Sequence, residues 1–221
     1  ETLRRLHPGY EPAVHRFVQE DPAREARLQL DLARMRASGL PVVLAVLHDR
    51  GGGTLRHVRE LAAQLADQCT TLTLSPRPQR CLALQWAGEQ EAFELLFRLD
   101  DQWDDLLATL RAVGVRHVHY HHLLGHEAPV LSLAAQLGVR YDFTAHDYYS
   151  FCTRISMTGN DNRFQGEPVP GLCACCQPHD RAPDGGTVEA WRDRHRTFLR
   201  SARYVIAPSA DTARRMADFA P

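Results

Sequence analysis

The chain has 221 residues, 44% of them apolar, with 26 basic against 27 acidic side chains for a net charge of −1. That size allows one or two domains with a sizeable core, and the charge balance removes the electrostatic basis for general nucleic-acid or membrane-surface binding. All 26 basic residues are arginine, which excludes a Walker-type phosphate loop, a Schiff base and a kinase-type lysine.

In chain order, residues 1–40 read as an N-terminal helical extension. Val14, Phe17, Val18, Leu28, Leu30, Leu32 and Met35 recur at helical spacing, and Pro22 breaks the pattern into two helices. Residues 41–221 read as one α/β domain. The run Pro41 to Leu47 is a strand apolar on both sides, as in a buried parallel sheet. It is far shorter than the roughly 20 residues a bilayer span needs. Gly51-Gly52-Gly53 follows, then an amphipathic helix from Thr54 to Asp67, with Thr54 as its expected cap. Strands are expected at Thr70–Leu74, Cys81–Trp86, Arg116–His121, Arg140–His146 and Tyr204–Ala207, with Ala92–Phe97 ambiguous. Helices are expected at Asp101–Val113, Glu127–Leu137, Thr187–Ser201 and Ser209–Phe219. This alternation predicts a doubly wound, Rossmann-like parallel sheet with helices on both faces. Residues 148–186 break the rhythm with a long insertion rich in Gly, Pro, Asn, Asp and Cys. It follows the C-terminal end of a strand, where open parallel sheets bind ligands.

Four residue groups carry candidate chemistry. Gly51, Gly52, Gly53 and Thr54 lie between the first strand and its helix, where backbone N–H groups can approach an anion. Their spacing does not match the dinucleotide fingerprint. His117, His119 and His121 alternate on one strand face, with His122 next, and cleft lining, zinc ligation and a buried structural role all stay open for them. His146-Asp147 lies at a strand end beside the insertion, suited to orient a substrate hydroxyl or accept its proton, with a strand-end hydrogen-bonding pair without chemistry as the alternative, and Tyr148, Tyr149 and Arg154 follow. Cys173 and Cys176 have the spacing of half a thiolate zinc site, with Cys152, Cys175 and His179 as further candidates and free thiols as the alternative.

In their order and spacing, these residues resemble the N-terminal domain of GT-B glycosyltransferases of the group-1, GT4-like family. The pieces are His48-Asp49-Arg50 with its Gly-Gly-Gly-Thr turn, the helix carrying Leu55, His57 and Val58, His119-Tyr-His121-His122, and Thr144-Ala-His146-Asp147-Tyr148-Tyr149. Gly166-Glu167-Pro168 ahead of Cys173-x-x-Cys176 and Ala207-Pro208-Ser209 complete the likeness, which spans residues 41–221. Gln165 stands where related sequences often carry a cysteine.

The resemblance implies one half of a two-domain enzyme that moves a sugar from a nucleotide-diphosphate donor to a saccharide or lipid-linked acceptor, as in polysaccharide synthesis, with retention of anomeric configuration. It implies that Gly51 to Thr54 face the donor diphosphate and that His146 and Asp147 lie at the transferred sugar. The acceptor cleft would hold His121, His122, Tyr148, Tyr149 and Arg154. A separate C-terminal donor domain is expected beyond Pro221, both ends of the chain reading as cut, and without it the chain is expected to be inactive in transfer. No cofactor is required on this reading; a structural zinc at Cys152, Cys173 and Cys176 stays an open option, and Gln165 counts against a four-cysteine site. Glu1 to Tyr10 lacks an apolar leader, so a cytoplasmic location is expected, peripheral at the inner membrane face where the acceptor is lipid-linked. A non-catalytic carbohydrate- or nucleotide-binding module is the alternative.

Overall fold

The structure, a computed structural model, describes residues 6–20, 22–87, 93–159, 161–166 and 181–221. The chain divides into two compact units, Glu1–Gly39 and Leu40–Pro221. In the first unit, helices α1 (Tyr10–Glu20) and α2 (Arg24–Ala37) flank Pro22. Tyr10, Val14 and Phe17 are exposed along one face of α1.

The second unit is a mixed α/β domain built on seven strands, β1 (Val42–Val46), β2 (Thr70–Arg77), β3 (Cys81–Trp86), β4 (Glu94–Arg98), β5 (Val115–Tyr120), β6 (Arg140–Thr144) and β7 (Val205–Ile206). Their order in the sheet is β4-β3-β2-β1-β5-β6-β7. The pairs β1–β2, β1–β5, β5–β6 and β6–β7 are parallel, consistent with a Rossmann-like fold. The pairs β2–β3 and β3–β4 are antiparallel, so the expectation of a purely parallel sheet is corrected. The reason is the three-residue link between the paired residues Arg77 and Cys81, too short for the crossover that parallel neighbours need. Gln79 and Arg80 make that reversal at φ 60° and 56°.

Helices cover both faces. Helix α3 (Gly52–Gln64) lays Val58, Leu61 and Ala62 beside Val43, Ala45, His117 and His119. On the opposite face Tyr120, Tyr141 and Phe143 pack around Phe198 of α7 (Val188–Ser201), at ring separations of 4.8, 4.9 and 6.0 Å. The buried Tyr120 hydroxyl donates to Val130 O. Helix α4 (Trp103–Ala112) is joined to α6 (Leu133–Leu137) through Trp103 Nε1–H and the Gln136 side chain. The expected single helix from Glu127 to Leu137 is two pieces, α5 (Ala128–Leu131) and α6. Ser132 separates them, turning both its N–H and its hydroxyl onto Pro129 O. Helix α8 (Ala210–Phe219) starts at Ser209, whose Oγ accepts from Thr212 N, and Thr187 caps α7 in the same way. Among the described residues no helix is long and apolar enough to cross a membrane.

The described part of the insertion is turn-built, not structureless. Tyr148 N and Cys152 N bond to Ile155 O and Tyr148 O, a bridge joins Thr158 to Phe164, and Phe151, Cys152 and Met157 are buried. Glu167, Pro168, Cys173, Cys175, Cys176 and His179 lie outside the described residues. Cys152 is a buried free thiol.

Candidate ligand cleft at the C-terminal edge of the sheet

From the central β1 the chain builds outward through β2, β3 and β4, then returns to place β5 on the other side of β1. The connections leaving β1 and β5 therefore diverge, and such a reversal opens a crevice beyond the strand C-termini. Past β1 come His48 and the glycine turn; past β5 come His121 and His122. The N–H groups of both histidines bond to Val46 O, which holds them against the end of β1.

The ends of β5 and β6 meet in three rungs, each joining residues 25 apart. His119 Nε2 lies 2.8 Å from Thr144 Oγ1, His121 Nδ1 3.1 Å from His146 Nε2, and His122 Nε2 2.8 Å from Asp147 Oδ2. His146 and Asp147 thus do not form a pair with each other. Both lie in the bend that follows β6, and each takes its partner from the His121-His122 doublet. The third rung has a fixed sense. Leu124 N–H donates to His122 Nδ1 at 3.0 Å, so Nδ1 carries the lone pair and Nε2–H donates to Asp147. The other carboxylate oxygen, Oδ1, accepts from Tyr149 N at 2.8 Å. Burial alone would raise the Asp147 pKa, but the hydrogen bonds it accepts from His122 and from the Tyr149 N–H outweigh it and hold the carboxylate below its ordinary value. With both oxygens engaged, Asp147 is a positioning group for His122 and the Tyr149 backbone.

The first two rungs sit on the α3 face among unprotonated imidazoles. Burial, reinforced by neighbouring rings, lowers His121 to about 2, and burial is also the leading cause that takes His119 and His146 down to about 4. Helix α3 brings the exposed His57 to the same place, its ring centroid 5.1 Å from that of His146 and 5.5 Å from that of His121. One ring nitrogen from each of His57, His121 and His146 lies within 4.8 Å of the others.

The glycine turn adjoins the other face. The His48 ring stands edge-on to His122 at 4.7 Å, and His48 Nδ1 accepts from Arg50 N. Gly51 and Gly52 have φ of 67° and 75°, a conformation that disfavours any side chain, and an added Cβ at either would meet open space. Helix α3 begins at Gly52 with Gly51 as its cap residue, so Thr54 is inside the first turn, buried, and is not the cap.

His122 also stacks toward Tyr149, 5.0 Å away, and Tyr149 stands edge-on to Trp191 at 5.4 Å. Tyr149, Trp191, His195, His126, Leu123 and Arg80 contribute to the wall of a cavity of about 700 Å³. Burial raises the Tyr149 phenol to about 12, so it stays a hydroxyl donor. Tyr148 and Arg154 are not brought to this wall. Tyr148 packs on Phe151 and under the Arg215 guanidinium, and Arg154 is half-buried in the turns of the insertion. The sequence reading gave no site role to His57, His48, Trp191 or His195. For His57 a signal existed, since it lies four residues after Gly53 and so one helical turn above the glycine turn. Trp191 and His195 are one turn apart on α7, and only the tertiary fold brings them to Tyr149.

No protein-family model matches the chain, and no curated protein matches it.

Proposed function

We propose that this domain is the acceptor-side half of a glycosyltransferase that moves a sugar from a nucleotide-diphosphate donor to a saccharide or lipid-linked acceptor. The observation that carries the reading is the meeting, at the point where the strand order reverses, of an open glycine turn, a histidine ladder and an aromatic-walled cavity. Each has a place in such a transfer. The N-terminus of α3 and the free N–H groups of the turn would stabilise charge on the departing diphosphate without a lysine. His146, held unprotonated beside His121, would accept a hydrogen bond from a hydroxyl of the transferred sugar. The cavity of about 700 Å³ has the size of a small-ligand site, and Tyr149 and Trp191 would give its wall aromatic character. A second, donor-binding domain is part of the proposal, and transfer belongs to the two together.

The test is donor turnover by the full-length natural protein over a panel of nucleotide-diphosphate sugars, with and without Gly52→Val. A substituted Gly52 meets open space but a φ of 75°, so the variant is expected to fold with a loss of stability of about 1–3 kcal/mol and to lose most of its turnover. Wild-type turnover by Gly52→Val would remove the phosphate-loop assignment. Saccharide or nucleotide binding without turnover of any donor would replace the transferase reading with that of a binding module.

A further inference from the structure

We propose that His57, His121 and His146 form a binding site for one divalent transition-metal ion of the zinc type, with a fourth coordination position left open. The proposal goes beyond glycosyl transfer and does not depend on it. It rests on the convergence of three imidazoles from three separate elements, the body of α3, the end of β5 and the end of β6, with one ring nitrogen of each within 4.8 Å of the others.

The distances decide how much must move. Zinc binds imidazole nitrogen at about 2.0–2.1 Å, which in a tetrahedron spaces the nitrogens about 3.4 Å apart. His121 Nδ1 and His146 Nε2 are already 3.1 Å apart, so that pair needs to open only slightly. His57 has to close from at most 4.8 Å, and it is an exposed side chain on the first turns of α3, free to rotate inward. The preorganised pair and the mobile third ligand together give a site that closes on an ion. In the metal-free protein one ring of the His121–His146 pair donates to the other. On binding, that donor shifts its proton to its second ring nitrogen, so both facing nitrogens offer lone pairs.

The donor set selects the ion. Three imidazoles with no carboxylate among them suit zinc and its neighbours and are a poor match for magnesium or calcium. The adjacent carboxylate in the chain, Asp147, is engaged by His122 Nε2–H and Tyr149 N–H. His119 is also set apart, its Nε2 being held by Thr144 Oγ1 at 2.8 Å. Three protein ligands and an open position are the pattern of a reactive zinc site, whereas a structural site is closed by four. The open position would take water or an oxygen of a bound ligand. Where sugar transfer also occurs, that position and not the His146 nitrogen would face the substrate.

The experiment is Zn²⁺ titration by calorimetry and Co²⁺ titration by visible absorption on the untagged chain, with Cys173, Cys175 and Cys176 changed to Ser so that thiolates do not contribute. One ion per chain, with a cobalt spectrum of tetrahedral intensity and no thiolate charge-transfer band, is the expected result. His57→Ala and His146→Ala should each weaken binding by about tenfold or more, and His117→Ala, on β5 but outside the triad, should leave it unchanged. Because His57 is exposed, its variant is expected to keep the metal-free melting temperature, which separates loss of a ligand from loss of fold. Absence of binding, or equal affinity in His57→Ala and the parent chain, overturns the site. Turnover is not read in this experiment, so its failure and the failure of the transferase reading remain distinct.

Discussion

Acidification should destabilise this domain well above the range in which carboxylates titrate. His126 donates from Nε2 to Leu47 O at 2.9 Å, and His195 from Nδ1 to Trp191 O at 2.8 Å. The second nitrogen of each ring is buried without a hydrogen-bond partner among the described residues. Burial lowers both from 6.5 to about 4 in the folded chain. As the pH falls through 6.5 the unfolded chain binds protons that the folded chain refuses, so stability declines from there down to about 4 and is complete only above that window. Between about pH 7 and about pH 5.5 each imidazole removes roughly 1.2 kcal/mol, a value that changes little if the folded pKa is about 5. The two together remove roughly 2.4 kcal/mol, and His119, His121 and His146 act in the same direction in metal-free protein. Against a domain stability of about 5–15 kcal/mol, that is a large share. Urea unfolding followed by tryptophan fluorescence, with a chelator present, measures it at the two pH values. His195→Leu should remove about half of the contribution of this pair. A loss below about 1 kcal/mol across the interval would refute the reasoning.

Two substitutions test the site's hydrogen bonding and the glycine turn. Asp147→Asn retains one acceptor oxygen for two donors, His122 Nε2–H and Tyr149 N–H, and should cost about 1–3 kcal/mol in urea unfolding at neutral pH. Because the folded Asp147 pKa is depressed, the stability it confers is present above about pH 4 and lost as the pH falls through the folded value. The gap between parent and variant should therefore narrow in acid. Gly53→Ala, at a helical position with open space around the new methyl, should stabilise the chain by about 0.4–1 kcal/mol. If the turn faces a ligand as proposed, the same change should lower turnover, and a stabilised variant with full turnover would place the ligand elsewhere.

The parallel half of the sheet was legible because Val42–Val46 and Val115–Tyr120 have the composition and length of buried strands and alternate with amphipathic helices. The antiparallel half was less so. Its reversal at Gln79 and Arg80 uses positive φ without the Gly or Asn that usually announces it. At the site, the His119–His122 and His146-Asp147 motifs could be singled out by residue type, but reading His146 with Asp147 overlooked that each bonds across to the neighbouring strand end. The partnership of each with the His121-His122 doublet depends on strand register, which a local reading does not contain. His57 carried only the signal of its place one turn above the glycine turn, since an exposed helical histidine otherwise resembles any solvated polar residue, and Tyr148 looked equivalent to Tyr149 until the turn sent it toward Phe151 and Arg215.

The constant offset of 25 between the rungs has a consequence for how the segment can vary. Each rung is a lateral contact between adjacent strand ends, so the intervening α5–α6 crossover contributes no atom to it. Insertions or deletions in that crossover should be tolerated as long as the strand ends return to register. A slip of one residue within β6 itself would carry His146 and Asp147 away from His121 and His122 and break both rungs together. The two short motifs therefore depend on the alignment of the strand ends and not on the length of the crossover between them.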